Sequence, residues 1–88
     1  MADKELERTL KALANRRRLA ILRFVKKEKE ANVGDIAEEI RLSFKATSKH
    51  LGILSSANLL DREQRSLQMF YSLARDLSSP ARSIISIL

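Results

Sequence analysis

Leu6, Leu10 and Leu13 recur at i, i+4 and i+7, a spacing that predicts a first amphipathic helix over about 3–13. Asn15 stands where an N-cap belongs, ahead of a second helix reaching about Lys29. At 100° per residue, Ile21, Leu22, Phe24 and Val25 share a broad buried face, and Arg16, Arg23, Lys26 and Lys27 lie opposite. A short third helix over about 34–40 turns Ile36, Ala37 and Ile40 inward and Asp35, Glu38 and Glu39 outward. Only Arg41, Leu42 and Ser43 separate it from a fourth, over about 44–57, where Thr47, Leu51 and Leu54 repeat at i, i+4, i+7 behind Ser43 as cap. Two helices so closely joined predict a helix-turn-helix over about 34–57. The period then changes from 3.6 to 2. Leu67, Met69, Tyr71 and Leu73 alternate with Gln68, Phe70 and Ser72, which predicts a strand with one buried face. The run 59–63 pairs with it through a turn at Gln64, Arg65 and Ser66. Ser79 and Pro80 read as cap and first position of a last helix, over about 80–88, whose Ile84, Ile85, Ile87 and Leu88 form an apolar stripe. The pattern is mainly α with a small β-hairpin.

With 88 residues, the chain can bury only about 60 to 65% of the surface it exposes when unfolded, so a partner subunit would help the core. The absence of cysteine excludes a disulfide framework, a thiolate metal site and a cysteine nucleophile, and fits a reducing cytoplasm. No apolar stretch approaches the roughly 20 residues needed to span a bilayer, and the acidic start from Met1 to Glu7 does not read as a signal peptide. The formal charge of +6 favours a polyanionic partner. Residues 16–30 hold seven basic and two acidic side chains, residues 31–40 only Asp35, Glu38 and Glu39, and residues 41–60 only Arg41, Lys45 and Lys49. Two basic segments flank an acidic one.

The residues also carry a resemblance. Leu10 to Asn15 and Arg18 to Leu22 look like the opening of the arsenical-resistance repressor (ArsR/SmtB) type of winged-helix regulators. Ile36-Ala37-Glu38-Glu39-Ile40, Leu42-Ser43, Ser48-Lys49-His50-Leu51, Ile53-Leu54 and Ala57 to Leu60 resemble that family's helix-turn-helix, and Phe70 to Leu73 is similar to the strand closing its wing. The match spans about 6–73. It implies a winged helix-turn-helix of about five helices plus a two- or three-stranded wing at about 59–73, in a single DNA-binding domain over 1–88. It further implies a homodimer built from the first and last helices, and operator binding that represses transcription; the apolar Leu6, Leu10, Leu13, Ile84, Ile85 and Leu88 suggest the seam, with burial in the chain's own core as the plain alternative. The family's metal-sensing members carry a cysteine-containing box where this chain has Ala31-Asn32-Val33-Gly34-Asp35, and His and carboxylates on the last helix where this chain offers neither. A member that senses no metal is therefore expected. Arg41 and Asn58 replace glycines usual at helix ends; asparagine tolerates left-handed backbone better than arginine.

On that reading the fourth helix presents Lys45, Ser48, Lys49, Gly52 and Ser56 along one stripe. Lysines meet phosphates or guanine O6 and N7, and serine serves either partner. The plain alternative is a solvated surface. Ser43 opens the helix, and Phe44 in its first turn either touches a thymine methyl or packs over the helix entrance, the favoured reading. Gly52 either permits close backbone approach to DNA or is incidental. His50 reads as half-buried and structural, with a DNA contact implied by the resemblance. A lone histidine makes neither a metal site nor a catalytic dyad. On the wing, Arg62 and Arg65 face the duplex, with Arg65 at the tip and able to enter a minor groove, although hairpin tips also carry charge for solubility. The triple arginine Arg16 to Arg18 opposes a helix dipole and needs compensation. Phosphate is expected for Arg16, and for Arg18 pairing with Glu38, Glu39 or first-helix carboxylates.

The leading expectation is a sequence-specific, double-stranded-DNA-binding transcriptional regulator, a cytoplasmic homodimeric repressor with no cofactor, metal, membrane partner or enzymatic activity. A winged-helix protein-interaction module and an RNA-binding basic domain are the alternatives. Neutral or acidic residues on the fourth helix would mark the first, and exposed aromatic platforms the second.

Overall fold

Side-chain caps set most of the helix starts. Asn15 accepts a hydrogen bond from the Arg18 amide (3.1 Å), Asn32 from Asp35 (2.8 Å), Ser43 from Ala46 (3.1 Å) and Ser78 from Ala81 (3.4 Å). In the computed structural model, which describes residues 1–88, these caps open α2 (Arg16–Glu28), α3 (Val33–Ile40), α4 (Phe44–Ser56) and α5 (Ser79–Ser86). They follow α1 (Asp3–Leu13), whose N-cap Ala2 has no side-chain bond to give. The cap of α5 is Ser78, one residue before the expected Ser79, because Ser78 has the extended backbone from which its hydroxyl reaches the Ala81 amide.

The ends of α3 and α4 are closed by left-handed residues. Arg41 (φ 58°) ends α3 and Asn58 (φ 61°) follows α4. At the first, the Leu42 amide donates to the Ala37 carbonyl (3.1 Å) and the Arg41 amide to Glu38 (3.3 Å). At the second, Leu59 donates to Leu54 and Asn58 to Ser55, both at 3.0 Å. Each pair is the double bond of a Schellman motif, so both positions take the conformation usual for glycine without being glycine.

Three antiparallel strands complete the fold in the order β1-β3-β2: β1 (Glu30–Asn32), β2 (Leu60–Arg65) and β3 (Gln68–Leu73). The hairpin turn is shorter and later than expected. Arg65 pairs with Gln68, leaving Ser66 (φ 57°) and Leu67 as a two-residue turn. Such turns match the twist of paired strands. Leu67, expected on the buried face of the strand, is therefore 96% exposed at the wing apex, while Tyr71 is buried and Met69 and Leu73 half-buried. Lys29 (φ 76°) reverses the chain into β1, which is too short to show a period of its own.

The core is centred on α2. Ile21, Leu22 and Val25 are buried against Ile36 of α3, Leu51 and Leu54 of α4, and Leu59. Two residues expected on a dimer seam belong to this core instead: Leu13 and Ile85 are both buried within the chain. Their helices roll so that the last turn of α1 and Ile85 in the last turn of α5 pack inward, and Lys26 Nζ holds α5 in place by donating to the Ile85 and Ser86 carbonyls (3.2 and 3.1 Å). Leu6, Ile84 and Leu88 are half-buried and Leu10 is 47% exposed. No helix is long and apolar enough to cross a membrane.

Candidate nucleic-acid interface

The inward side of α4 consists of Thr47, Leu51 and Leu54, none of which has measurable exposure. Fixing that side leaves the opposite stripe in solvent: Lys45, Lys49, Gly52 and Ser56 are exposed and Ser48 is half-buried. Neither lysine forms an ion pair within the chain. The Ser43 oxygen is occupied as a cap, but its hydroxyl proton can still be donated outward. Phe44 does not pack over the helix entrance as favoured; it is 63% exposed. A staple pairs the residue before the cap, here Leu42, with the fourth helical residue, here Thr47; Phe44 at the first position has no part in it and faces solvent beside Lys45. A Cβ added at Gly52 would meet nothing within 4 Å. No atom of the chain therefore requires glycine there.

Two of the three consecutive arginines behind this helix are compensated, but not by carboxylates. Arg17 Nη1 donates to the Ile40 carbonyl (3.0 Å), while Arg18 donates through Nε to Ala12 (2.6 Å) and through Nη2 to Lys11 (3.1 Å). Both cations thus sit on carbonyls at helix C-termini, the negative poles of α3 and α1. This corrects the expected pairing of Arg18 with Glu38, Glu39 or first-helix acids. Arg16 is exposed and unpaired. Arg18 also reaches α4, with Nη1 3.3 Å from His50 Nδ1. Arginine can only donate, so Nδ1 must accept, which puts the imidazole proton on Nε2. Desolvation, then the charges of Arg18, Arg17 and Lys49, holds the His50 pKa below its ordinary value. His50 is thus a neutral, half-buried link between α2 and α4.

On the wing, Arg62 is exposed and unpaired. Arg65 is neither at the apex nor free. It donates to both Glu30 carboxylate oxygens (2.8 Å each) and to Glu63 (2.9 Å), with its guanidinium 4.7 Å from the Phe70 ring centroid. The bidentate geometry is the strong form of this pair. It crosses the sheet from the end of β2 to β1. Hydrogen bonding to Arg65 lowers the Glu30 pKa, and the two glutamates raise that of Arg65. Glu30 and the carbonyl acceptors of Arg17 and Arg18 were not anticipated. Glu30 lies 35 residues from its partner, and carbonyl acceptors leave no side-chain signature.

The assembled surface is a helix with two free lysines, hydroxyl donors, an exposed aromatic ring and a flanking wing with one free arginine, suited to phosphates and major-groove base edges. No three His, Cys, Asp or Glu side chains come together in a group that could hold a metal. A sequence profile of bacterial regulatory proteins of the arsR family matches residues 15–62. Transcriptional activator HlyU of Vibrio cholerae is 34% identical over 79 residues, spanning 90% of this chain and 69% of that protein. Its structure superposes with a TM-score of 0.82 at 30% identity, covering 99% of this chain and 92% of the other. Nodulation protein NolR of Rhizobium meliloti is 39% identical over 67 residues, 76% of this chain and 54% of its own length. A homodimeric winged helix-turn-helix DNA-binding domain from Mycobacterium bovis superposes with a TM-score of 0.81 at 25% identity, covering 99% of this chain and 82% of that one.

Proposed function

The chain belongs to the ArsR family of bacterial regulatory proteins and is a DNA-binding transcription regulator rather than an enzyme, and from that premise we propose that it works as a cytoplasmic homodimer. Residues 1–88 act as one domain, with α4 of each copy in the major groove of a double-stranded operator, half-sites about one helical turn apart. Lys45, Ser48 and Lys49 address base edges and phosphates. Phe44 meets a thymine methyl, Ser43 and Arg16 meet phosphates, and Arg62 supplies the charge of the wing. Gly52 lets the backbone come close. His50 and Arg65 act indirectly, by holding α4 and the wing. Leu6 and Leu10, with Ile84 and Leu88, supply apolar area to the seam. The similarity to a homodimeric domain supports the dimer. Repression needs only occupancy, since a protein seated over a promoter excludes polymerase; the same seat activates where it displaces another repressor.

The observation that carries this reading is the lysine stripe of α4, open to solvent and without an internal partner. Selection of bound fragments from the source genome at about 0.15 M salt tests it, followed by titration of the recovered duplex. Lys49→Ala is expected to cost about 1 to 3 kcal/mol and relax base preference where a base is read, whereas loss of a phosphate contact reduces the salt slope by about one with preference unchanged. Equal, weak binding to every duplex would overturn the reading.

A further inference from the structure

A cleft of about 530 Å³ opens between α1 and α4, on the flank of the reading helix. Its size falls among sites for small organic molecules. Lys4, Arg8, Lys11 and Arg18 contribute four cations to the lining, against Glu7 as the single acid. Glu7 is already directed at Lys11, 3.8 Å away. Arg18 is fixed on helix-end carbonyls with its charge uncancelled by any carboxylate. Lys4 and Arg8 have no ion-pair partner. Buried Ala12 and Ala57 lie at the base, and Ile53, 40% exposed, forms an apolar wall. Gly52 and Ser56 complete the α4 side, and the space beside Gly52 is empty.

We propose that this cleft binds a small organic anion, with an apolar body against Ile53 and a carboxylate or phosphate head among Lys4, Arg8 and Arg18, and that its occupancy weakens DNA binding. The excess of cations selects the charge, and the alanine and isoleucine surface selects an organic ion over a bare inorganic one. Gly52 and Ser56 belong both to the cleft and to the lysine stripe. A bound anion therefore sets negative charge beside the surface that receives DNA phosphates and neutralises cations on its flank. By linkage, operator DNA must weaken anion binding by the same factor. This regulatory part rests on the proposed DNA reading; the binding part does not.

The test is an amide-resolved NMR titration of the DNA-free chain with phenyl phosphate, benzoate, inorganic phosphate and neutral benzyl alcohol. Saturable shifts at Arg8, Lys11, Gly52 and Ile53 are expected with the two aromatic anions, and the tighter of them identifies the preferred head group. Inorganic phosphate and benzyl alcohol are expected to bind about tenfold more weakly, as is phenyl phosphate to Arg8→Glu, each a loss of about one decade in affinity. Arg8 is exposed and bonded to nothing else, so the variant folds. Shifts spread equally over Arg16, Arg23 and Lys27, equal binding of benzyl alcohol, or an unaffected Arg8→Glu would each overturn the site. So would an Arg8→Glu variant that binds no anion differently but lowers the salt slope for duplex by about one, which would assign Arg8 to DNA phosphate. Phenyl phosphate is then added to the complex with the selected operator fragment. Release from wild type but not from Arg8→Glu supports the coupling. Cleft binding with DNA affinity unchanged overturns the coupling alone, and a chain that selects no fragment while still binding the anion points instead to failure of the DNA reading.

Discussion

Arg41 and Asn58 occupy equivalent left-handed positions at the ends of α3 and α4, but with different side chains. For arginine the Cβ is crowded by the following carbonyl, a strain asparagine largely avoids. Arg41→Gly is expected to stabilise the fold by about 0.5 to 1 kcal/mol, the strain relieved less the greater entropy of an unfolded glycine. Asn58→Gly should leave stability almost unchanged. Urea midpoints of the two variants at equal m-value provide the comparison. His50 gives a second prediction at this scale. Burial first, then neighbouring cations, depresses its pKa in the folded state, so the unfolded chain takes up the proton first as pH falls. The stability it contributes is complete above its ordinary value, near 6.5, and is lost progressively below it, down to the depressed folded value. His50→Gln keeps an acceptor for Arg18 but cannot titrate. Its stability should therefore decline less than that of wild type between about pH 7 and pH 5, as read by thermal or urea unfolding.

At the scale of elements, the wing is held by a clamp whose acid partner is as important as its arginine. Glu30→Gln removes negative charge from the wing of the proposed DNA-binding face, which by Coulomb's law alone should tighten binding. If Arg65 works by fixing β2 against β1, the same substitution loosens the wing, and duplex binding should weaken by a few fold, matching Arg65→Ala. Tighter binding with a steeper salt dependence would show that Glu30 instead withholds Arg65 from phosphate. The clamp also explains how far the sequence could be read. The α4 stripe was legible because Thr47, Leu51 and Leu54 set its inward side and Ser43 its start, both local signals. Arg65 was legible as a charge near a turn, but not in its role, which depends on a residue 35 positions away. Leu67 looked like a strand residue because it is in phase with Met69 and Tyr71. The turn, selected by strand twist, claimed it instead.

For the whole molecule, the distribution of buried leucines separates what holds one copy together from what is left for a second copy in the proposed dimer. Leu13 lies in the core and Leu10, three residues earlier, faces solvent. Leu10→Glu is expected to yield a folded monomer, with native circular dichroism and half the mass by sedimentation, and to lose most operator affinity because half-sites no longer bind together. Leu13→Glu should unfold the chain instead. A dimer persisting in Leu10→Glu would place the seam elsewhere, on the apolar end of α5. Which residues of these helices are open to a second copy could not be read from sequence, because the roll of α1 is set by packing on α2 and α4 and α5 is held by Lys26.

Arg18 grips the last carbonyls of α1 with one part of its guanidinium and His50 of α4 with another. In a two-copy assembly joined through α1, that grip turns the protein into a ruler. The separation of the two reading helices is then inherited from the joint and cannot stretch to suit the DNA. Inserting a single base pair between half-sites rotates one of them by about a tenth of a turn, and such a spacer should reduce binding to nearly that of an isolated half.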